Sequence, residues 1–469
     1  MERNLARIVI AGLGGNSGKT MISIGLIAAL KNKGIKIVPF KKGPDYIDSG
    51  WLAKAAGREC HNLDVYLFGE KKTLFSLNQN SKNMDLAFIE GNRGLFDGVD
   101  KEGRYSTAGL AKLTSSPIVL VIDCTKVTRT VGAMLLGCQV FDKELSICGV
   151  ILNQVATLRQ EKIIREVIES ECQVPVLGAI GKLKDINFPM RHLGLVPHHE
   201  HSHPQKVIKY LSKVINDSIN VDRFFEIAKS APNFSASFEP LYQIKENGKS
   251  LKPTIGVIMD PAFQFYYPEN IEFLKNEGAK IVKISALENK TLPGSLDALY
   301  IGGGFPESFA PKLSSNKIFK KSLLKEIKIG LPIYAECGGL IFLGKNLITS
   351  SGSYPMVGIL PTEFILEKKP QGHGYIELIV QKKNEIFSLG TKIKGHEFHY
   401  SRPINSTLTK EDFIFKVTRG YGFNGKWDGV KINHIFASFS HLHSLGVSDW
   451  AEGFVRLAKK YKQHKLKQN

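Results

Sequence analysis

Residues 12–20 read GLGGNSGKT, a glycine-rich stretch that dictates a tight turn between two regular elements. The apolar run IVI precedes it, and MISIGLIAAL, with apolar residues at helical spacing, follows it. A strand, a glycine-rich turn and a helix in this order are the context that a phosphate-binding loop requires. The spacing is one residue longer than the common G-x4-G-K-[ST] pattern, because Leu13 stands where the first glycine would be and the count must start at Gly12.

Each residue type in this phosphate loop (residues 12–20) suits an anionic ligand. Gly12 and Gly18 lack a Cβ, so the backbone can turn sharply and direct N–H groups toward a phosphate. The helix that begins near Lys19 adds its positive N-terminal end. Lys19 is predicted to reach the terminal phosphates of a nucleotide, and the Thr20 hydroxyl to bind Mg²⁺. A glycine-rich turn without a ligand is the alternative, which the combination of strand, helix and GKT disfavours.

Length and composition limit the class of protein. With 469 residues the chain exceeds one hydrophobic core, so two or three domains are expected. It has no apolar stretch of about 18 residues, the length that a membrane span needs. The opening MERNLARIVI runs into a strand without a signal-peptide pattern, and the six cysteines form no CxxC pairs. We therefore expect a soluble, cytoplasmic protein with reduced thiols.

The formal net charge of +19 calls for an anionic partner or a solvated basic surface. Nucleic acid, an anionic membrane and a polyanionic small substrate all qualify. Basic motifs interleaved with aromatic residues, which nucleic-acid binding favours, are not evident. The last eleven residues, KKYKQHKLKQN, hold five lysines. A solvated, frayed tail is the preferred interpretation of this segment.

Strands and helices alternate along two separate regions of the chain. In the first region six apolar runs, with helical stretches between most of them, predict a parallel sheet with helices on both faces: IKIVPF, DLAFIE, PIVLVID, ICGVILN, VPVLGAI and RHLGLVP. Two amphipathic helices and a polar stretch follow, and a second alternating region begins at TIGVIMD, less cleanly parallel after residue 350. The predicted organisation is a phosphate-loop domain at 1–205, a helical linker at 206–250, a second α/β domain at 251–455 and a basic tail at 456–469.

Acidic residues follow predicted strands in the first domain, at Asp45, Asp48, Glu90 and Asp97. In an open parallel sheet, ligands bind beyond the carboxyl ends of the strands, so these carboxylates are expected near the phosphate loop. Mg²⁺ accepts one or two carboxylates together with phosphate and water oxygens. We predict that Thr20, Asp45 and Glu90 form its binding site. A helix N-cap is the alternative for a single aspartate after a strand.

The second domain carries a candidate nucleophile, Cys337, in the segment LPIYAECGGLIFLG. A strand followed by glycines predicts a sharp turn that exposes the thiol, and a helix N-terminus at the turn would stabilise the thiolate. The N–H groups of Gly304, in ALYIGGGFPE, and of Gly338 suit an oxyanion hole. Downstream, FASFSHLH offers His441 and His443 as candidate bases. A small core residue is the alternative for a single cysteine.

Two histidine-rich segments are weaker candidates for metal binding. HHEHSHP holds four histidines within residues 198–203, but their spacing matches no standard zinc pattern. We interpret it as a polar loop near the nucleotide. GHEFHYS, with His396 and His399, lacks partners at metal spacing, so a role in a substrate pocket is preferred.

In combination, the motifs resemble those of the cobyrinic acid a,c-diamide synthases. A GxxxxxGKT loop, FKKGPDYID, EGNRGLFDG, GGGFPE, AECGGL, GHEFHYS and ASFSHLH occur in this order, so the resemblance covers essentially the whole chain. The first domain also resembles dethiobiotin synthetase, which explains the long phosphate loop, and the second resembles a class I glutamine amidotransferase. The implied fold is α/β, with an N-terminal parallel-sheet domain joined by a helical linker to a C-terminal α/β glutamine amidotransferase domain.

The resemblance also implies roles for individual residues of the first domain. Lys19 and Thr20 would lie at ATP and Mg²⁺, with Asp45 and Glu90 completing the metal site. Three further residues would lie near the transferring phosphate and the substrate carboxylate: Lys41, Asp48 and Asp97.

In the second domain the resemblance assigns Cys337 as the nucleophile and His441 as the histidine that activates it. Many class I amidotransferases have a glutamate two residues after this histidine, completing a triad. Here the sequence is His441, Leu442, His443, so the third member is missing at that position. What orients His441 is left open.

The implied reaction is an amidation. ATP phosphorylates a substrate carboxylate, the Cys337 thiolate releases ammonia from glutamine, and ammonia converts the acyl phosphate into an amide. The implied substrates and ligands are ATP with Mg²⁺, L-glutamine or ammonia, and a polycarboxylated tetrapyrrole whose charge would match the basic chain. Neither nucleic acid nor membrane is expected as a partner, and a homodimer is the candidate assembly.

Other functions stay open at this point. The same chemistry on hydrogenobyrinic acid, nickel sirohydrochlorin or siroheme fits the motifs equally well. A P-loop ATPase that binds DNA and does not amidate, or a dethiobiotin-like regulatory module, is less favoured. Neither would need Cys337 in its glycine-rich turn or the matching histidine.

Overall fold

The phosphate loop lies, as predicted, between a buried strand and a helix. Strand β1 (Arg7–Gly12) is buried along its length, and helix α1 (Lys19–Asn32) begins within the loop. The structure, a computed structural model, describes residues 5–183, 190–191, 194–233 and 251–468. The chain divides into two compact units, the first ending and the second beginning between residues 233 and 251.

Seven strands form the main sheet of the first unit: β1, β2 (Ile37–Lys42), β3 (His61–Leu63), β4 (Leu86–Glu90), β5 (Ile118–Asp123), β6 (Ile147–Val155) and β7 (Val176–Gly181). Their order is β3-β2-β4-β1-β5-β6-β7, and every pair is parallel. Five of the predicted apolar runs become five of these strands, because continuous apolar runs suit strands buried on both faces. The prediction of a parallel sheet is confirmed.

The sixth predicted run, RHLGLVP, does not form a strand of this sheet. Its described residues contribute to two short antiparallel strands, β8 (Met190–Arg191) and β9 (Gly194–Leu195). Residues 192–193, in the middle of the run, lie outside the described residues.

Helices cover both faces of the first sheet: α1, α2 (Ile47–Ala56), α3 (Val65–Asn80), α4 (Thr107–Leu113), α5 (Thr130–Phe141), α6 (Leu158–Val167), α7 (Pro204–Ser218) and α8 (Val221–Lys229). A π-helical turn, Ile168–Cys172, extends α6. The apolar core has two layers. Ile8 and Ile10 of β1 belong to one layer and Val9 to the other, as the two-residue period of a strand requires.

The two helices predicted for the linker form, but they pack into the first unit. Leu211 and Ile215 of α7 and Phe224 of α8 lie in the same apolar layer as Ile24 of α1. Gly25 lets α7 approach α1 closely, because a Cβ at this position would lie 2.9 Å from the carbonyl oxygen of Leu211. The amphipathic pattern therefore reflects burial of one helix face against the sheet domain. The remainder of the predicted linker, residues 234–250, lies outside the described residues.

Nine strands form the main sheet of the second unit: β10 (Thr254–Ile258), β11 (Lys280–Ile284), β12 (Ala298–Ile301), β13 (Ile333–Glu336), β17 (Gly372–Val380), β18 (Lys392–His399), β20 (Phe413–Arg419), β21 (Trp427–Ile432) and β22 (Ile435–Ser438). Their order is β11-β10-β12-β13-β22-β21-β20-β17-β18. The pairs from β11 to β22 are parallel and the remaining pairs are antiparallel. The expected loss of parallel order after residue 350 is thus confirmed.

A second, four-stranded sheet has the order β15-β14-β16-β19 and comprises β14 (Asn346–Thr349), β15 (Gly352–Pro355), β16 (Glu363–Leu366) and β19 (Ser401–Ile404). The helices of this unit are α9 (Pro268–Asn276), α10 (Ala310–Ser315), α11 (Lys317–Lys328), α12 (Gly338–Leu343) and α13 (Ser448–Gln468). Short 3₁₀ turns occupy Pro306–Phe309 and Lys410–Asp412.

The basic segment at the end of the chain is helical rather than frayed. Helix α13 continues to Gln468, and Tyr461 lies in the apolar core of the second unit. Lys462 Nζ lies 3.3 Å from Asp297 Oδ2, and Lys465 Nζ donates to a backbone carbonyl of the same unit. Part of the charge that predicted a tail therefore anchors a helix. No helix within the described residues is long and apolar enough to cross a lipid bilayer.

Candidate functional site

The phosphate loop needs glycine at both of its predicted positions. A Cβ on Gly12 would lie 2.3 Å from Ser17 Oγ. Gly18 has a φ of +88°, which favours glycine, and a Cβ there would lie 2.2 Å from Asn153 Nδ2. The Asn153 amide also donates to the Ser17 carbonyl at 2.9 Å, so β6 holds the loop from the other side. These contacts fix a compact turn at the carboxyl end of β1.

Lys19 lies across the phosphate loop. Its Nζ donates to the carbonyl oxygens of Gly14, at 3.0 Å, and Arg93, at 2.8 Å. Burial lowers the pKa of Lys19, and the nearby Lys41 ammonium lowers it further. The Lys19 ammonium is thus held beside the phosphate loop, where its positive charge and its N–H donors are close to the loop backbone.

Four side chains form a carboxylate cluster beside the loop: Thr20, Lys41, Asp48 and Glu90. Thr20 Oγ1 donates to Glu90 Oε1 at 2.9 Å and lies 3.2 Å from Asp48 Oδ2, a second acceptor for the same hydroxyl hydrogen. Lys41 Nζ lies 2.6 Å from Glu90 Oε1 and 2.7 Å from Asp48 Oδ2. Burial alone would lower the pKa of Lys41, but the Asp48 and Glu90 carboxylates outweigh it and raise this pKa above its ordinary value. The cluster therefore holds a buried cation between two carboxylates.

Thr20 and Glu90 of the predicted magnesium site contact each other, whereas Asp45 is hydrogen-bonded at the start of α2. Asp48, rather than Asp45, contacts Thr20. Asp45 Oδ1 instead accepts a hydrogen bond from the backbone N–H of Asp48 at 2.9 Å, at the start of α2, which is the helix-capping alternative. Burial raises the pKa of Asp45 to about 7, and the Asp48 charge adds to this shift.

Asp97, the fourth predicted acid, is exposed and lies outside the carboxylate cluster's hydrogen bonds. Its Oδ2 accepts the backbone N–H of Gly94 at 2.9 Å. It therefore shapes the EGNRGLFDG loop, whose Arg93 carbonyl contacts Lys19.

The carboxylate cluster fits a magnesium ion that is shared with a nucleotide. Glu90 Oε2 is buried and has no hydrogen-bond partner among the described residues, so one carboxylate oxygen is available beside Thr20. No group of three or more His, Cys, Asp or Glu side chains in the described part of the chain is arranged to hold a metal by itself. Mg²⁺ typically takes one or two carboxylates and completes its shell with phosphate and water.

In the second unit, Cys337 lies at a strained turn between β13 and α12. Its φ and ψ are 46° and −99°, a region that costs a non-glycine residue about 1–3 kcal/mol. The backbone N–H of Cys337 donates to Ser438 O of the neighbouring strand at 2.7 Å, and Sγ lies 3.9 Å from Phe398 O. The predicted nucleophile elbow is therefore the local geometry.

The surroundings of the thiol oppose the predicted thiolate. Burial raises the pKa of Cys337 above its ordinary value, and the Glu307 carboxylate raises it further. The side chain is only 4% exposed, and α12 spans six residues, too few for a strong helix dipole. The thiol needs a base to lose its proton.

His441, the predicted base, follows the strand that neighbours the one Cys337 follows. Strands β13 and β22 pair in parallel with Glu336 opposite Ser438, so Cys337 and His441 both follow the carboxyl ends of adjacent strands. His441 Nδ1 lies 3.4 Å from Glu336 Oε2. A Cβ on Gly303 would lie 2.4 Å from His441 Cε1, so the imidazole rests against the glycine loop.

The predicted oxyanion donors lie on two segments that touch. A Cβ on Gly338 would lie 3.1 Å from the backbone nitrogen of Gly304. Gly304 has a φ of +157° and no space for a side chain, since a Cβ would lie 2.1 Å from Ala262 O. The structure thus brings Gly304, Gly338 and Cys337 together.

Two other histidines of the second unit, His443 and His396, have different surroundings. His443 faces Glu269 at 3.6 Å and packs on the Tyr267 ring. His396 stacks on His441 with ring centroids 4.8 Å apart, and the two backbones exchange hydrogen bonds of 3.1 and 2.8 Å. Burial lowers the pKa of His396 well below its ordinary value, so this ring is neutral.

The remaining histidines pack without forming a metal site within the described residues. His198 and His201 contact the Trp51 ring edge-on, and His198 also lies against His199. Burial lowers the pKa of His198 to about 3. His399 Nδ1 lies 2.8 Å from Ser401 O, within the fold of the second unit.

Sequence reasoning missed Glu336 and Asp428. Asp428 is buried and accepts from the Phe439 and Ser440 backbone N–H groups at 3.1 Å each, which fixes the segment leading to His441. Glu336 carried a signal, because an acid directly before the cysteine at the end of an apolar strand is unusual for a core position. Asp428 carried none.

Two protein families match the two units. The CobB/CobQ-like glutamine amidotransferase domain matches residues 254–448, and the CobQ/CobB/MinD/ParA nucleotide binding domain matches residues 8–196. Both matched ranges contain the residues described above. The phosphate loop and the carboxylate cluster lie in the matched range 8–196. The cysteine turn and its histidine lie in the matched range 254–448.

Curated relatives match over nearly the whole length. The chain is 40% identical to a cobyrinate a,c-diamide synthase of Magnetococcus marinus, covering 97% of this chain and 98% of that protein. It is 39% identical to the protein of the same name from Archaeoglobus fulgidus, covering 98% and 99%. A third relative of that name, from Dehalococcoides mccartyi, is 37% identical over 97% of this chain and 99% of its own.

Proposed function

The chain belongs to the cobyrinate a,c-diamide synthases, and from that premise we propose that it amidates the a and c acetate carboxylates of cobyrinic acid. It is a glutamine-using, ATP-dependent carbon–nitrogen ligase of cobalamin biosynthesis. The observation that carries this proposal is the 40% sequence identity to one such synthase, which extends over both units. Either unit alone would also be compatible with other reactions.

The first unit supplies the activation step. Lys19 donates to two loop carbonyls, and charged phosphate oxygens of ATP would be stronger acceptors for the same ammonium. Thr20, Asp48 and Glu90 would hold Mg²⁺, which supplies charge neutralisation on the phosphates when it is bound. Lys41, held by both carboxylates, keeps a positive charge beside the transferring phosphoryl group. The substrate carboxylate becomes an acyl phosphate.

The second unit supplies ammonia. His441 takes the proton of Cys337, and the thiolate attacks the glutamine amide carbon to give a thioester and ammonia. The backbone N–H groups of Gly304 and Gly338 are the proposed oxyanion donors. Ammonia then displaces phosphate from the acyl phosphate and forms the amide.

The partners and the extent of the domains belong to this proposal. Each carboxylate of a tetrapyrrole is an acceptor for basic side chains, and the net charge of +19 supports such a substrate. We propose ATP binding by residues 1–205 and glutamine hydrolysis by residues 251–455, with the intervening 206–250 and the terminal 456–469 as accessory segments. A homodimer is the proposed assembly, and nucleic acid and membrane have no proposed part.

A mass-spectrometric assay tests the substrate. The purified chain is incubated with ATP, Mg²⁺ and glutamine against cobyrinic acid, hydrogenobyrinic acid, nickel sirohydrochlorin and siroheme in parallel. Two successive carboxylate-to-amide conversions of cobyrinic acid, dependent on ATP, are expected. Faster conversion of another tetrapyrrole would mean that this compound, and not cobyrinic acid, is the substrate. ATP hydrolysis without formation of any amide would overturn the ligase assignment.

A further inference from the structure

We infer that Glu336 is the positioning residue for His441 in glutamine hydrolysis. The inference rests on the proposed function of the second unit, in which Cys337 and His441 release ammonia. It answers the question that the sequence left open, because the position two residues after His441 holds His443 and not an acid.

The contact is between buried groups at a defined register. Glu336 is the last residue of β13 and is 1% exposed, as is His441. Glu336 Oε2 lies 3.4 Å from His441 Nδ1, and Oε1 lies 3.4 Å from the backbone nitrogen of Leu442. One carboxylate therefore contacts both the imidazole and the backbone that carries it.

Two tyrosines hold this carboxylate in place. The Tyr300 hydroxyl donates to Glu336 Oε2 at 3.2 Å, and the Tyr334 hydroxyl donates to Oε1 at 3.1 Å. Burial raises the pKa of both hydroxyls well above the ordinary value, and the Glu336 charge raises it further, so both stay protonated donors. With one tyrosine on each oxygen, the carboxylate has little freedom to rotate.

The contact selects the imidazole tautomer. A carboxylate accepts hydrogen bonds, so Nδ1 of His441 carries the proton that faces Glu336 and Nε2 is left with a lone pair. The S–H bond of Cys337 then breaks as an N–H bond forms at Nε2. The thiolate bonds to the amide carbon of glutamine, the C–N bond breaks, and the Nε2 proton leaves with the nitrogen as ammonia. Water later hydrolyses the thioester to glutamate.

Glu336 also compensates for the unfavourable ionisation of the buried Cys337 thiol. The Cys337 thiol is buried and resists ionisation, so the imidazolium formed on His441 must be stabilised. A fixed carboxylate at Nδ1 provides this stabilisation. The roles of acid and histidine are thus retained, although the acid comes from the residue before the nucleophile.

A buried acid of the same domain offers a matched control. Glu269 Oε2 lies 3.6 Å from His443 Nε2, so it is also a buried carboxylate facing an imidazole. It belongs to α9, whereas Glu336 is the last residue of β13. If burial of a carboxylate were all that mattered, glutamine substitutions at 269 and 336 would have equal effects.

The test compares Glu336→Gln with Glu269→Gln in the full-length chain. Glutamate release in the presence of ATP measures glutamine hydrolysis, and amide formation with ammonium chloride measures the first unit independently. We expect Glu336→Gln to lower kcat for glutamate release about a hundredfold, with KM for glutamine changed by no more than about twofold. Ammonia-dependent amidation should keep the wild-type rate, and Glu269→Gln should keep wild-type glutamate release.

Two outcomes would overturn the inference: wild-type kcat in Glu336→Gln, or equal losses in the two variants. If Glu336→Gln does not fold, the double variant Tyr300→Phe, Tyr334→Phe decides, since it removes only the two hydroxyls. A fall in kcat of about tenfold supports the inference, and wild-type kcat overturns it. Failure of the wild-type chain to amidate any tetrapyrrole with ammonia would overturn the proposed function instead, without touching glutamate release.

Discussion

The carboxylate cluster of the first unit and the cysteine turn of the second hold their reactive groups in opposite electrical states. Lys41 is an ammonium clamped between Glu90 and Asp48 at 2.6 and 2.7 Å. Cys337 is a neutral thiol whose pKa is raised by burial. One site keeps full charges that compensate each other, whereas the other keeps its proposed nucleophile uncharged.

The difference follows from what each site must do. Phosphoryl transfer moves charge that is already present on the nucleotide, so a prearranged cation and carboxylates stabilise it directly. Glutamine hydrolysis must create a nucleophile, and a thiol that stays protonated does not react with stray electrophiles or oxidants. Burial therefore has two different effects in this protein. It strengthens the ion pairs of the first unit and suppresses ionisation of the thiol in the second unit.

Removing the nucleophile separates the two sites most completely. Cys337→Ala is expected to lower glutamine-dependent amidation at least a thousandfold, roughly, because no other described group replaces the thiolate. Amidation with free ammonia should persist, since the first unit does not use the thiol. Amide formation with each nitrogen source measures the split. Loss of both activities in a folded variant would show that the two sites are not separable in this way.

The next largest effect concerns the charge balance of the first site. Glu90→Gln removes a charge that both Thr20 and Lys41 contact, and we expect amidation to fall about a hundredfold with either nitrogen source. Asp45→Asn should cost less than about tenfold, because Asp45 contacts the start of α2 and its pKa of about 7 leaves this carboxyl only partly charged near pH 7. ADP release at limiting Mg²⁺ measures both.

Equal losses of activity in these two variants would support Asp45 as a magnesium ligand, as the sequence predicts. Wild-type turnover of both at limiting Mg²⁺ would remove the metal assignment from this cluster altogether.

The last effect, about tenfold for each pH unit, tests the uncharged state of the second site. Because the pKa of Cys337 is raised, its thiolate fraction is far below half at pH 7 and grows as pH increases toward that pKa. Labelling of the peptide that contains Cys337 by iodoacetamide should therefore rise about tenfold per pH unit between pH 7 and 9 without levelling off. Peptide mass mapping distinguishes it from the other five cysteines. A plateau near pH 7 would mean that the thiol is already ionised, like the groups of the first site.

The sequence predicts best where the relevant contacts are local. The strand, glycine turn and helix around Lys19 and Thr20 are consecutive, and Gly12 is required by its contact with Ser17 inside the loop. The parallel sheet follows from continuous apolar runs. Cys337 is also identified locally, because a strand end followed by glycines leaves few backbone solutions.

Prediction fails where rotation or long-range pairing decides. Asp45 and Asp48 are three residues apart at the start of α2, and only the orientation of that helix determines which carboxylate meets Thr20. Glu336 and His441 are 105 residues apart and meet because β13 pairs with β22. The pKa of the Cys337 thiol depends on its burial. Burial results from the packing of the whole unit, so the residues adjacent to Cys337 in the sequence do not predict it.

The pairing of β13 with β22 also sets when this enzyme becomes active during its synthesis. Cys337 leaves the ribosome about a hundred residues before His441, and strands β14 to β21 must emerge between them. Such a distant pairing forms only after His441 has emerged, so we expect the glutaminase centre to assemble late. The phosphate loop, whose contacts lie within the first unit, is expected to form earlier. We therefore expect a nascent chain to complete its nucleotide-binding unit before it is able to release ammonia.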